Sequence, residues 1–165
     1  MNFDFSEEQN LLREQARRFL AENAEGKARS IIEGEALFDR DLWRGMAELG
    51  WMGTAIPEEY GGIGLSHEDL CVIAEEIGRS IAPTPFSSSV YLATEALLLA
   101  GSDEQKEDFL PRIASGDIIG CFAHNEGTRK LAPESIETIY TDGKLTGEKN
   151  PVADGDVADF AVVLA

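Results

Sequence analysis

Basic residues are scarce in this chain: 14 Lys and Arg stand against 31 Asp and Glu, for a net charge of -17. Nucleic acids and anionic membrane surfaces are held by clusters of Lys and Arg, so both are excluded as partners. Cysteine is scarcer still. Cys71 and Cys121 each lie in an apolar pattern, which predicts two reduced, buried thiols and no disulfide framework. No apolar run reaches the ~18 residues of a membrane span. The N-terminus carries Asp and Glu and lacks the basic flank and apolar centre of a signal peptide, so a soluble, cytoplasmic protein is expected. Gly61, Gly62 and Gly64 crowd one loop, but no Lys-Ser or Lys-Thr follows and no strand precedes, which excludes a phosphate loop in favour of turn geometry. The acidic excess is then a solvated surface.

What the chain does have is helical period, followed by an abrupt change of period. Ser6 with Gln9, and Ser102 with Gln105, are capping boxes; Ser66 is a further cap. From them run helices carrying Leu11, Leu12, Ala16, Phe19 and Leu20 as far as Asn23, then Leu70, Ile73, Ala74, Ile77 and Ile81, then Phe109, Leu110 and Ile113. Residues 24–40 are helical in part, with Ile31, Ile32, Leu37 and Phe38 as anchors. Asp41 to Leu49 is a short helix with Leu42, Met46 and Leu49 inward and Gly50 as its stop. Phe86 to Ala100 is nearly uncharged and predicts a helix buried on most sides. Gly116 ends the last helix and Ile118 to Ala123 reads as a buried strand. Ile136 to Thr141 and Lys144 to Gly147 flank Asp142-Gly143, a hairpin signal, and Phe160 to Leu164 is a final buried strand. The expected architecture is mainly α: a helical domain over 1–116, then the beginning of an antiparallel β-domain over 117–165. An apolar strand at the end of the chain implies that more chain, or another chain, completes the sheet.

His67 and Cys71, four apart on a helix, are a conceivable metal pair; with no further Cys or His nearby in sequence, an ordinary helix face is preferred.

In this order the chain resembles the N-terminal part of the acyl-CoA dehydrogenase family. The resemblance rests on Phe5-Ser6-Glu7-Glu8-Gln9, on Leu49-Gly50-Trp51 through Pro57-Glu58-Glu59-Tyr60-Gly61-Gly62, and on Gln105-Lys106, Leu110-Pro111, Ala114-Ser115-Gly116 and Gly120. Gly147-Glu148-Lys149 and Ala158-Asp159 add to it. It implies a helical domain, a β-domain and a second helical domain holding FAD between them. It also implies oxidation of an acyl-CoA thioester to the 2,3-enoyl-CoA, with electrons passed to an electron-transfer flavoprotein, in a homo- or hetero-oligomer. The family's base is a Glu that usually lies in the last helical domain, and no carboxylate here matches it. No catalytic residue is assigned, and the chain alone is expected to be inactive.

By the same resemblance, Phe122, His124, Asn125 and Ala153 border the flavin, while Ser88 and Leu92 edge an acyl pocket. Helix start and core packing account for Ser88 and Leu92 equally well, and His124 reads equally as a strand residue with a satisfied ring. Arg129 and Lys130 are candidates for CoA phosphates, although a solvated loop pair explains them too. Two flavin motifs depart from the family. Asn125-Glu126-Gly127, then Thr128-Arg129-Lys130-Leu131, stand where Thr-Glu-Pro and Gly-Ser-Asp are usual, and Pro151-Val152-Ala153 replaces Trp-Ile-Thr. Three readings follow: a dehydrogenase portion with a degenerate flavin site, a flavin-free partner subunit of a heteromeric, steroid side-chain type enzyme, or a non-enzymatic helical interaction module. Yellow colour on purification discriminates the first from the last.

Overall fold

The computed structural model describes residues 4–128 and 133–165, Pro133 without its side chain. Six α-helices precede the first strand: α1 Glu7–Asn23, α2 Lys27–Glu33, α3 Arg40–Glu48, α4 His67–Ser80, α5 Thr94–Ala100 and α6 Asp103–Ala114. The strands are β1 Gly120–Ala123, β2 Ile139–Thr141, β3 Lys144–Thr146 and β4 Phe160–Val163. The N-terminal caps form as the sequence predicts. Ser6 and Ser102 make reciprocal bonds with Gln9 and Gln105, and Ser66 does so with Asp69. Each bond lies within one turn, so local chemistry suffices to place the helix starts.

One core joins Ala16 and Leu20 of α1, Leu42 and Met46 of α3, Leu70 and Ile73 of α4, and Phe86 and Val90. A second joins Ile56, Leu97, Leu110, Ile113 and Ile118. Both reach the strands: Ile119 belongs to the first, with Val157 packed on it, while Phe160 and Val162 pack on the second. The Phe160 ring meets Phe109 of α6 at 4.6 Å.

Several expectations are corrected. The segment after Phe86 is a π-helix over Ser87–Ala93 before α5 begins, and Leu92 and Leu99 are exposed, so this region is buried on one side only. α2 buries nothing, and Ile32 on it faces solvent, as does Leu37 in the loop that follows; of the predicted anchors Phe38 alone is fully buried. Leu11 and Leu49 are exposed. Ile81 drops out of the α4 stripe because the helix has ended; it sits at φ +49 and is 72% exposed. Cys71 is exposed and Cys121 buried, both free.

The hairpin β2–β3 is antiparallel in register Ile139↔Thr146 to Thr141↔Lys144, with Asp142 and Gly143 at φ +50 and +75, as its turn signal predicts. β1 and β4 instead run parallel, Gly120↔Phe160 to Ala123↔Val163. β4 is half-buried, not the buried strand that its apolar run suggests. β1 approaches the π-helix so closely that a Cβ on Gly120 would lie 2.7 Å from Ala93 Cβ. That contact requires glycine.

Candidate functional site

The candidate residues lie where β1, the π-helix and the turn after β3 converge. A π-helix widens one turn by a residue and is common at functional sites. Here it carries Ser88 and Ser89 inward, and Thr94 follows at the start of α5, all buried. Ser89 Oγ accepts the Gly120 N–H at 3.1 Å, and Thr94 Oγ1 donates to the Ser89 carbonyl at 2.8 Å, so the helix is stitched to the start of β1. Ser88 donates to the Asp154 carboxylate.

Beyond β1, Phe122 and His124 stack at 5.1 Å with their rings 23° apart, both half-buried. His124 Nδ1 lies 3.3 Å from the Phe122 carbonyl. The chain then pairs with the segment after β3: Asn150 N donates to the Asn125 carbonyl at 2.8 Å and Gly127 N to the Asn150 carbonyl at 2.6 Å. That pairing brings Asn125 alongside Asn150-Pro151, a cis peptide, with Ala153 exposed three residues on. Leu92 is 40% exposed on the π-helix.

An ionic node fixes this pairing. Glu126 Oε1 accepts from Thr138 N at 2.9 Å, Thr138 Oγ1 at 2.6 Å and Lys149 Nζ at 2.7 Å; Oε2 accepts from Glu137 N at 2.7 Å. Lys149, foremost, and then Thr138 and the two backbone donors hold the Glu126 carboxyl far below the usual carboxylate range. The Gly-x-Lys motif thus spends its lysine on Glu126.

His67 pairs with Glu95 at 2.6 Å at the rim of an apolar cavity of about 250 Å³ shared with Cys71 and Tyr91. Burial pushes the Tyr91 hydroxyl up. Among the described residues no group of three His, Cys, Asp or Glu is arranged to hold a metal. No described helix is long and apolar enough to cross a membrane. Arg129 and Lys130 lie outside the described residues.

Residues 6–117 match the model of the acyl-CoA dehydrogenase N-terminal domain. The chain belongs to the acyl-CoA dehydrogenase family. It is 32% identical to the mitochondrial isovaleryl-CoA dehydrogenase of Pongo abelii over 97% of this chain and 40% of that protein. The acyl-CoA dehydrogenase of Bacillus anthracis complexed with FAD superposes at TM-score 0.85 and 29% identity, covering 98% of this chain and 29% of that one. The steroid ACAD Tcur3481-Tcur3483 gives 0.82 and 30%, with 95% and 44% covered. The ChsE4-ChsE5 complex of Mycobacterium tuberculosis gives 0.83 and 28%, with 99% and 46% covered. The chain therefore spans less than half the length of these relatives. The family is one of oxidoreductases, and FAD is its cofactor.

The donor set at the candidate flavin position fits FAD poorly. Pro151 has no N–H, Ala153 has no side-chain donor, and Lys149 is committed to Glu126. The Phe122–His124 pair supplies an aromatic surface. Sequence reasoning missed Asp154, although Asp154-Gly155 is a turn dipeptide, and also missed Glu126 and Lys149 as a pair, for which spacing gives no signal.

Proposed function

We propose that this chain serves FAD-dependent α,β-dehydrogenation of an acyl-CoA thioester, as the N-terminal helical domain (1–116) and the start of the β-domain (117–165) of a protomer with a degenerate flavin site. The observation that supports this reading is the family match together with a donor set that lacks the flavin-facing side chains at positions 151 and 153. Ser88 and Leu92 edge the acyl group, and Phe122, His124, Asn125 and Ala153 border the flavin position. Asn125, Pro151 and Ala153 replace three side chains that bond or cover the ring in the family; at ~0.5–1.5 kcal/mol for each lost hydrogen bond, the three together weaken flavin binding by about one to three orders of magnitude.

The second reading makes this protomer a flavin-free partner of an active relative. The loss of both flavin motifs together, at residues 125–131 and 151–153, favours it, and likeness to the steroid ACAD and the ChsE4-ChsE5 complex is consistent with it. In either case electrons leave to an electron-transfer flavoprotein, and the 165-residue chain alone gives no turnover with acyl-CoA substrates and a dye acceptor. Titrating FAD into the protein, with ring fluorescence as readout, is the test. Weak or absent binding alone, and about half occupancy per protomer in a mixed complex, is expected; stoichiometric, tight binding by this protomer returns it to the ordinary flavin-bearing dehydrogenases.

A further inference from the structure

Asp154 joins a residue of the candidate acyl edge, Ser88, to the turn that carries Ala153 of the candidate flavin position. It adjoins Ala153, accepts the hydroxyl proton of buried Ser88 across 66 residues of chain, and acts on the buried Cys121 thiol, which is pushed up first by burial and then by the Asp154 charge. Its backbone sits at φ +55, a conformation that Asp adopts at some cost and that persists where surrounding contacts hold it. The turn carrying it is closed by Gly155 N to the Val152 carbonyl and Val157 N to the Asp154 carbonyl, and Val157 packs on the main core. The carboxylate is therefore placed by the fold. Among the described residues no Lys, Arg or His forms an ion pair with it. Ser88, the one candidate acyl-edge residue with a hydroxyl, is also spent on this bond.

From this juxtaposition we infer that Asp154 is a specificity-determining residue that excludes flavin from the protomer, placing a negative charge that no described cation pairs beside Ala153, where a dianionic dinucleotide and its anionic reduced ring would approach. A half-buried charge acts through a medium of lower effective dielectric than water, so its repulsion is not screened away. The inference rests on the proposed flavin position, but it names a separate cause of weak binding: missing donors fail to attract the cofactor, whereas Asp154 repels it.

The test is FAD titration of the wild type with Asp154→Asn, Asp154→Gly and Ser88→Ala. Asn and Gly both tolerate the left-handed backbone at 154, so the fold is retained, and thermal melts confirm it. Asn keeps an acceptor for Ser88 and Gly does not, yet both remove the charge. Both are expected to raise FAD affinity about tenfold, with Ser88→Ala giving no gain. The reduced form should gain more than the oxidised form, raising the bound flavin potential by about 30 mV for each further tenfold preference. Unchanged affinity in both Asp154 variants overturns the inference while leaving weak wild-type binding, and so the functional reading, intact. A gain in Ser88→Ala without one in Asp154→Asn overturns it as well, because the bond and not the charge would be responsible. Tight wild-type binding overturns the inference together with the reading that the protomer lacks flavin.

Discussion

The Lys149 ammonium donates to the Glu126 carboxylate at 2.7 Å, with the two side chains only 7% and 12% exposed. Both charges leave water together, and three further donors complete the carboxylate. Removing one member of such a pair leaves the other desolvated and uncompensated. Glu126→Gln should lower the thermal midpoint and speed hydrogen exchange at the Glu137 and Thr138 amides, whereas Lys144→Met on the exposed hairpin should change neither. Native-state exchange followed by NMR reads the difference.

Acid should weaken the bundle through Glu76. Its carboxylate, 1% exposed, is bonded by Arg17 at 2.7 and 3.2 Å and by Arg79 at 2.7 Å, and these pull its pKa from 4.5 to about 2, Arg17 most and against the opposing effect of burial. Because the folded value lies below the unfolded one, this stabilisation is present above about 4.5 and is lost as pH falls towards about 2. Glu76→Gln should lower the midpoint at neutral pH and flatten the decline across that window, seen in urea melts at stepped pH.

Gly116 at φ +75 ends α6, and a Cβ there would meet Ala47 Cβ at 2.6 Å. Its carbonyl also accepts the Trp43 Nε1 proton at 2.9 Å. Gly116→Ala should cost at least ~1–2 kcal/mol from the left-handed backbone alone. Chemical denaturation with Trp43 fluorescence measures it, and a neutral result would show that the loop shifts freely.

A 1–116 fragment should give a strongly helical circular dichroism spectrum yet melt below the whole chain. The helices carry their own caps, but Ile118, Ile119, Val157, Phe160 and Val162 complete both cores from beyond residue 116. A β-type spectrum would contradict the division at this point; an undiminished midpoint would show that the strands add nothing to the bundle.

The sequence by itself determined what is local. The caps at Ser6, Ser66 and Ser102, the stop at Gly116 and the Asp142-Gly143 turn are decided within a few residues, where a hydroxyl or a missing Cβ leaves the backbone one good option. The family was legible for a related reason, since its motifs are mostly helix starts and turns. Burial was less legible: Ile32, Leu37, Leu49 and Ile81 have core-like side chains, but Leu37, Leu49 and Ile81 fall beyond the helix ends and Ile32 lies on α2, which buries no residue. Only the tertiary structure decided the parallel pairing of β1 with β4, the joining of Arg17 to Glu76, and the closure of Ser88 on Asp154. Partners 40 to 66 residues apart are selected by the packing of intervening helices, and no spacing rule within the chain encodes which carboxylate each will meet.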